Sequence, residues 1–283
     1  MNVRKSIFSG SWYPDNASAC EKEIEGFLKE YSTETVSERT LTGGIVPHAG
    51  WYFSGSIACN VIHRLQDENP PDVFVIFGMH LHSGSPAYIM TDGAWETPFG
   101  AIQIEKQLAG ELAEKFTFEI ETTDRFTQDN TIELQLPFIK YFFKDAKIVP
   151  IGAPPTKKSL EIGKAVVDMS TRMGLQVKVI GSTDLTHYGP NYSFMSQGTG
   201  LSAVDWVRNK NDRRVIDAML AMDPEKVIKE GMTHQNACCS GAAATAIAAA
   251  KQLGAQQAET IAYATSYDKS PGTSFVGYVG IVF

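Results

Sequence analysis

The strongest constraint on this chain is the alternation of two hydrophobic periods along its length. Short, almost uninterrupted apolar runs at 43–46 (GGIV), 72–77 (DVFVIF), 147–151 (KIVPI) and 177–180 (VKVI) read as buried strands. Elsewhere apolar residues return every three to four positions, predicting helices at about 17–31, 55–66, 105–115, 131–143, 157–173, 201–221, 224–231 and 241–253. Asp223-Pro224 reads as an N-cap followed by a helix-starting proline, and Gly254 as a helix-closing residue. The tail segments 260–266 and 274–283 carry the Thr, Tyr and Val of strands that complete the sheet. Strands alternating with helices make a layered α/β fold, not a bundle or a β-sandwich. No repeat, low-complexity stretch or long linker interrupts the 283 residues, so 1–283 is expected to form one domain.

Composition removes several function classes. With 43% hydrophobic and 20% charged residues the chain has the makings of a substantial core, so disorder is not the reading. The net charge of −7 is spread among interspersed acids and bases, without the basic patch that nucleic acid requires. No apolar run approaches the ~18 residues of a membrane span, and the N-terminus lacks a signal-peptide core, so a cytoplasmic protein is expected. Four cysteines, Cys20, Cys59, Cys238 and Cys239, do not make a disulfide framework in a chain this long. Cys20 lies on the apolar stripe of Ile24, Phe27 and Leu28 and reads as a buried structural thiol.

The histidines carry more information. His48, His80, His82 and His187 all follow the carboxyl ends of expected strands, where open α/β sheets bind ligands. In the stretch PHAGW, Pro47 sets the turn that aims His48 at this edge, and the neighbouring glycines leave room at the site. His63 points off its helix's apolar stripe and reads as a surface residue; His234, just ahead of the cysteine pair, reads either as a residue supporting the site from behind or, in preference, as a solvated loop residue. Cys238 and Cys239 precede an Ala-rich helix, whose N-terminus favours a thiolate, the metal-binding form; two small core residues would fit the same place. Imidazole and thiolate together suit Fe(II), Cu or Zn rather than Mg or Ca. Asp184 and His187, three apart, are spaced for a carboxylate to orient an acid/base imidazole.

Eight segments in order, SGSWYP, PHAGWYFSG, FGMHLHSG, AWETPFG, TIELQLPF, STDLTHYG, NACCSG and YATSYD with TSFVGYVGIVF, resemble the Memo family, whose prokaryotic members are called AmmeMemoRadiSam system protein B. The resemblance spans the whole chain. It implies a central mixed β-sheet flanked by helices on both faces, similar to the class III extradiol dioxygenases, and a metal held by two His and one Cys. The matching positions are His48, Cys238 and, by its spacing to ETPFG, His80, with His82 as the alternate. Asp184 and His187 match the acid/base pair beside the metal. Two departures stand out: Cys239 occupies a position that is usually Gly, and Asn130 one that is commonly His and, unlike His, cannot relay a proton. The implied function is redox or O₂-linked chemistry at Fe(II) or Cu on an unknown small molecule or peptide. The alternatives are a non-catalytic module for an anionic or aromatic ligand such as a phosphotyrosine peptide, and zinc-dependent hydrolysis. The resemblance also implies a functional link to AMMECR1-like and radical SAM proteins. Trp12, Trp51 and Tyr52 are expected either to wall the pocket or to lie in the core.

Overall fold

The computed structural model describes residues 2–30 and 40–283. Its first half contains β1 (Val3–Arg4), α1 (Ala17–Glu30), β2 (Gly43–Val46), α2 (Trp51–Arg64), β3 (Val73–Gly78), β4 (Ala87–Met90), β5 (Ala94–Trp95), β6 (Ile102–Gln103), α3 (Lys106–Lys115), β7 (Phe118–Glu121), α4 (Asn130–Glu133) and α5 (Leu136–Phe142). The second half contains β8 (Lys147–Gly152), α6 (Lys157–Met173), β9 (Val177–Ser182), β10 (His187–Tyr188), α7 (Leu201–Trp206), α8 (Asp212–Leu220), α9 (Pro224–His234), α10 (Ser240–Gln252), β11 (Glu259–Thr265) and β12 (Phe275–Val282). Residue 31, the expected end of the first helix, lies outside the described residues.

Among the described residues, nine strands form one mixed sheet. Its centre is a parallel block in the order β2, β9, β3, β8. Antiparallel pairings flank the block, β12 against β2 and β4 against β8. Strand β3 is apolar throughout because it is covered on both sides: all six of its residues are buried. Adjacent residues of β2 show which helices cover them, since neighbouring strand residues point to opposite faces. A Cβ on Gly44 would fall 2.7 Å from Val61 of α2. On the other face, Ile45 shares with Ala243 and Ala246 of α10 the space that a Cβ on Gly181 would enter. Glycine and alanine at these contacts let α2 and α10 approach the sheet closely.

Several expected elements changed on folding. The helix expected at 131–143 is two helices, because Pro137 in the first turn of α5 has no N–H to continue the ladder of α4. The helix expected at 201–221 contains a π-helical turn at Val207–Asn211 between α7 and α8. The helix expected from 55 begins at Trp51, whose N–H is held by the Trp12 carbonyl at 2.8 Å. Strands β4 and β7, and the small separate sheet of β1, β5 and β6, are two to four residues long, too short to show a period in sequence. His63 is half-buried, its ring 5.1 Å from that of Phe142, rather than a surface residue. His234 is the last residue of α9 rather than a loop residue, 3.7 Å from Glu230. Cys20 is fully buried, and burial pushes its thiol up to about 12. No helix of the described residues is long and apolar enough to cross a membrane.

Candidate metal centre

Three neighbouring strands of the parallel block deliver the site at their carboxyl ends. His48 follows β2, His80 follows β3, and Asp184 follows β9. From the opposite side the turn into α10 brings Cys238 and Cys239. One ligand atom from each of His48, His80, Cys238 and Cys239 lies within 4.8 Å of all the others. His82 stays apart in an exposed turn, where its Nδ1 accepts the Gly84 N–H at 3.1 Å.

The backbone around His48 is held at three points. Its N–H donates to Asp184 Oδ1 at 2.7 Å, while its carbonyl accepts from Asn130 Nδ2 at 2.7 Å. The Pro47 carbonyl accepts from Gln135 Nε2 at 2.9 Å. Asn130 therefore serves this site as a backbone clamp. The ring orientation follows from one proton: the Ser182 hydroxyl donates to the Thr131 carbonyl at 2.7 Å, so at 3.0 Å from His48 Nδ1 it can only accept. His48 then carries a proton on Nδ1 and turns Nε2, the nitrogen that either holds a second proton against the sulfur or is free to take a metal, toward Cys238 Sγ 3.3 Å away.

His80 is aimed by a residue that the sequence reading did not single out. Asp129 Oδ2 accepts from both His80 N–H at 3.0 Å and Nδ1–H at 2.9 Å, which leaves Nε2 as the free nitrogen. Asp129 is itself the N-cap of α4, receiving Thr131 N–H at 2.9 Å. In sequence only that capping signal is visible. Met79, just before His80, has a left-handed φ of 72° and gives its N–H to Thr131 Oγ1 at 2.7 Å. The room left by Gly78 belongs to Thr131 and Ile132, whose atoms lie 2.4 and 2.7 Å from where a Cβ would sit. That glycine thus admits α4 and not a metal ion.

The electrostatics divide the two cysteines. Burial opposes ionising Cys238, but the Cys239 thiol 3.7 Å away and the His48 imidazole outweigh it, and the thiol lies well below its usual range. Asp184 N–H also donates to Cys238 Sγ at 3.3 Å. Burial and the adjacent Cys238 push Cys239 well above that range, so the pair is a thiolate beside a thiol. Burial works against charging His48, and Asp184 and Cys238 overcome it, so its pKa is raised. Burial also works against charging His80, but the Asp129 hydrogen bond and Cys238 bring it up to about 10. Burial raises Asp184 as well, against the pull of His48 and His187.

This donor set fits a soft or borderline ion. A tetrahedron with metal–sulfur bonds of about 2.3 Å and metal–nitrogen bonds of about 2.0 Å has edges of roughly 3.3–3.8 Å. The Sγ–Sγ distance of 3.7 Å matches the S–S edge, and the Nε2–Sγ distance of 3.3 Å lies just inside the N–S edge of about 3.5 Å; the four donors span up to 4.8 Å, so the outer ones would draw together around an ion. A cavity of about 570 Å³ opens onto the cluster, lined by His48, His80, Asn130, Asp184 and His187, with Trp12, Tyr52 and Tyr192 among its aromatic walls. Trp51 is not among its lining residues; it is buried, stacked on Phe138 with ring centroids 4.2 Å apart. A smaller cavity of about 330 Å³ reaches Cys238 from beyond His187 and Tyr192.

A sequence model described as "Memo-like protein" matches residues 4–282. The chain is similar to a MEMO1 family protein of Pyrococcus furiosus, 35% identical over 295 residues that cover 99% of this chain and 98% of the relative. A MEMO1 family protein of Methanopyrus kandleri is 32% identical, with the same coverage of 99% and 98%. Among solved structures, that of an uncharacterized protein from Escherichia coli K12 aligns with a TM-score of 0.55 at 9% identity, covering 86% of this chain and 99% of that one. That likeness concerns the fold alone.

Proposed function

Since this chain belongs to the Memo-like protein family, we propose that it is a metal-dependent oxidoreductase, resembling the extradiol dioxygenases, in which His48, His80 and Cys238 hold Fe(II) or Cu. The observation that carries this reading is the convergence of two imidazoles and a thiolate, with both imidazoles lining the cavity of about 570 Å³ and Cys238 lining the smaller one of about 330 Å³. The bound ion would supply an open coordination position for O₂ or substrate. The protein's own part is orientation: Ser182 and Asp129 set the two imidazoles, and Asp184 holds the His48 backbone. Cys239, within reach of the same point, is a fourth donor that favours Cu or Zn over Fe(II) when engaged. His187, facing the cavity beside buried Asp184, is the residue placed to give or take a proton from a bound substrate.

The substrate in this reading is a small molecule or peptide, and the chain acts as one domain in a cytoplasmic setting. A functional link to AMMECR1-like and radical SAM proteins belongs to the same proposal and rests on the family resemblance. A non-catalytic binding role draws on the exposed aromatic rim of Trp12, Tyr52 and Tyr192. Among the described residues no Lys or Arg lines this cavity, which disfavours a phosphotyrosine ligand relative to a neutral aromatic one.

The test is anaerobic reconstitution with Fe(II), Cu(I) or Zn(II), followed by elemental analysis and an O₂-uptake screen. Near-stoichiometric Fe or Cu, lost in His48→Ala and Cys238→Ala with the fold intact, is the expected result. Equal metal retention in both variants overturns the ligand assignment. Activity with Zn alone turns the reading to hydrolysis, and saturable ligand binding without O₂ uptake turns it to the binding module.

A further inference from the structure

We propose that Asp212, acting with Asn211, is a positioning residue that locks the loop of Asp184 and His187 to the loop of Cys238. The proposal rests on the metal reading above. Asp212 is fully buried at the start of α8. Its Oδ1 accepts from both the N–H and the hydroxyl of Thr186, with the backbone bond at 3.1 Å, and its Oδ2 accepts from the Tyr263 hydroxyl at 2.8 Å. Thr186 lies between Asp184 and His187, so the carboxylate grips the loop of the proposed acid/base pair.

Asn211 carries the connection to the other loop. Its Nδ2 donates to Thr186 Oγ1 at 3.0 Å and to the His234 carbonyl at 3.1 Å. Its own carbonyl accepts from Asn236 Nδ2 at 2.9 Å, two residues before Cys238. The π-helical turn that ends at Asn211 breaks the helical register just where these two consecutive side chains are needed, a common use of such turns. Gly277 completes the arrangement, since a Cβ there would lie 2.0 Å from Asp212 Oδ2. Its N–H donates to the Thr186 carbonyl at 3.0 Å, tying β12 to the same point.

The chemistry argues for positioning over stability. A buried carboxylate is costly even when hydrogen-bonded, and an apolar residue of similar size would make a cheaper core. What the network adds is directionality, joining two loops that between them carry the thiolate and the acid/base pair. These loops also touch directly, through the Cys238 N–H to the Asp184 carbonyl at 3.1 Å. A shift of Thr186 is therefore transmitted to the position of the sulfur.

The test is a Co(II) titration of the full chain, wild type beside Asp212→Ala, Asp212→Asn and Asn211→Ala. It follows affinity by chelator competition and geometry by the sulfur-to-cobalt charge-transfer and d–d bands, with circular dichroism as the fold control. In Asp212→Ala the affinity is expected to fall about tenfold or more, as for other residues that orient metal ligands, and the charge-transfer band to weaken. In Asp212→Asn the retained oxygen still accepts from Thr186, so both readouts are expected within about twofold of wild type, a rescue that general destabilisation does not predict. Wild-type affinity and spectrum in a folded Asp212→Ala overturn the proposal. If that variant does not fold, the same result in Asn211→Ala overturns it. A wild-type protein that takes up no Co(II) overturns the metal reading and this inference together, whereas unaltered variants beside a binding wild type overturn the inference alone.

Discussion

Replacing Ser182 by Ala removes one oxygen and almost no volume, and its consequence depends on whether a metal is bound. In the native site Ser182 Oγ accepts the His48 Nδ1 proton at 3.0 Å and donates to the Thr131 carbonyl at 2.7 Å. The Thr131 carbonyl keeps a second donor in the variant, Gln135 Nε2 at 3.4 Å. Without metal, the His48 ring can shed its Nδ1 proton and keep Nε2–H on the Cys238 sulfur, so the metal-free fold loses about 1 kcal/mol or less. With metal on Nε2 that escape is closed. Nδ1 must then keep its proton in a site where His48 is only 2% exposed and no acceptor remains. An unpaired buried donor costs about 1–3 kcal/mol, which corresponds to a loss of roughly 5- to 150-fold in metal affinity. Chelator-competition titrations with Zn(II) or Co(II), paired with urea unfolding of the metal-free proteins, measure both quantities. An affinity within twofold of wild type would refute the assigned tautomer. So would a metal-free destabilisation as large as the affinity loss.

Asp212→Asn is also expected to change the pH dependence of stability. Burial pushes the Asp212 carboxyl up to about 7, opposed by hydrogen bonds from Thr186 and Tyr263, so between about pH 4 and 7 the native state holds a proton that the unfolded chain releases. Its contribution to stability is therefore full below about pH 4 and lost as pH rises through 7, on the order of 4 kcal/mol in all. Relative to wild type, Asp212→Asn should gain stability across that window in urea melts; a flat difference would contradict the raised carboxyl. Trp51→Ala is expected to cost about 3–5 kcal/mol in chemical denaturation while metal stoichiometry is unchanged, because the ring belongs to the core. Trp12→Ala, on the exposed rim, should change stability by less than about 1 kcal/mol yet weaken ligand binding to the cavity, as read by calorimetry with a neutral aromatic probe. Asn130→Ala frees the His48 carbonyl, and a loss of about 1 kcal/mol in a melt, with weaker metal binding, would check its clamp role.

What the amino-acid sequence determined by itself was the α/β alternation, the buried strands at GGIV, VFVIF, KIVPI and VKVI, and the location of His48 and His80 at their carboxyl ends. These were legible because periodicity and strand-end placement are local properties, written in residues a few positions apart. Cys238 could be placed before a helix N-terminus for the same reason. Tertiary structure decided how those residues are aimed. Asp129 reaches His80 across 49 positions and Ser182 reaches His48 across 134, and neither carries any periodic signal of its role. Tertiary structure also set Cys239 beside Cys238 as a thiol next to a thiolate, assigned Asn130 to a backbone carbonyl, and sent Trp51 to the core while leaving Trp12 at the cavity. A single hydrogen bond between distant residues leaves no pattern in sequence, because its geometry exists only after the sheet has brought the strand ends together.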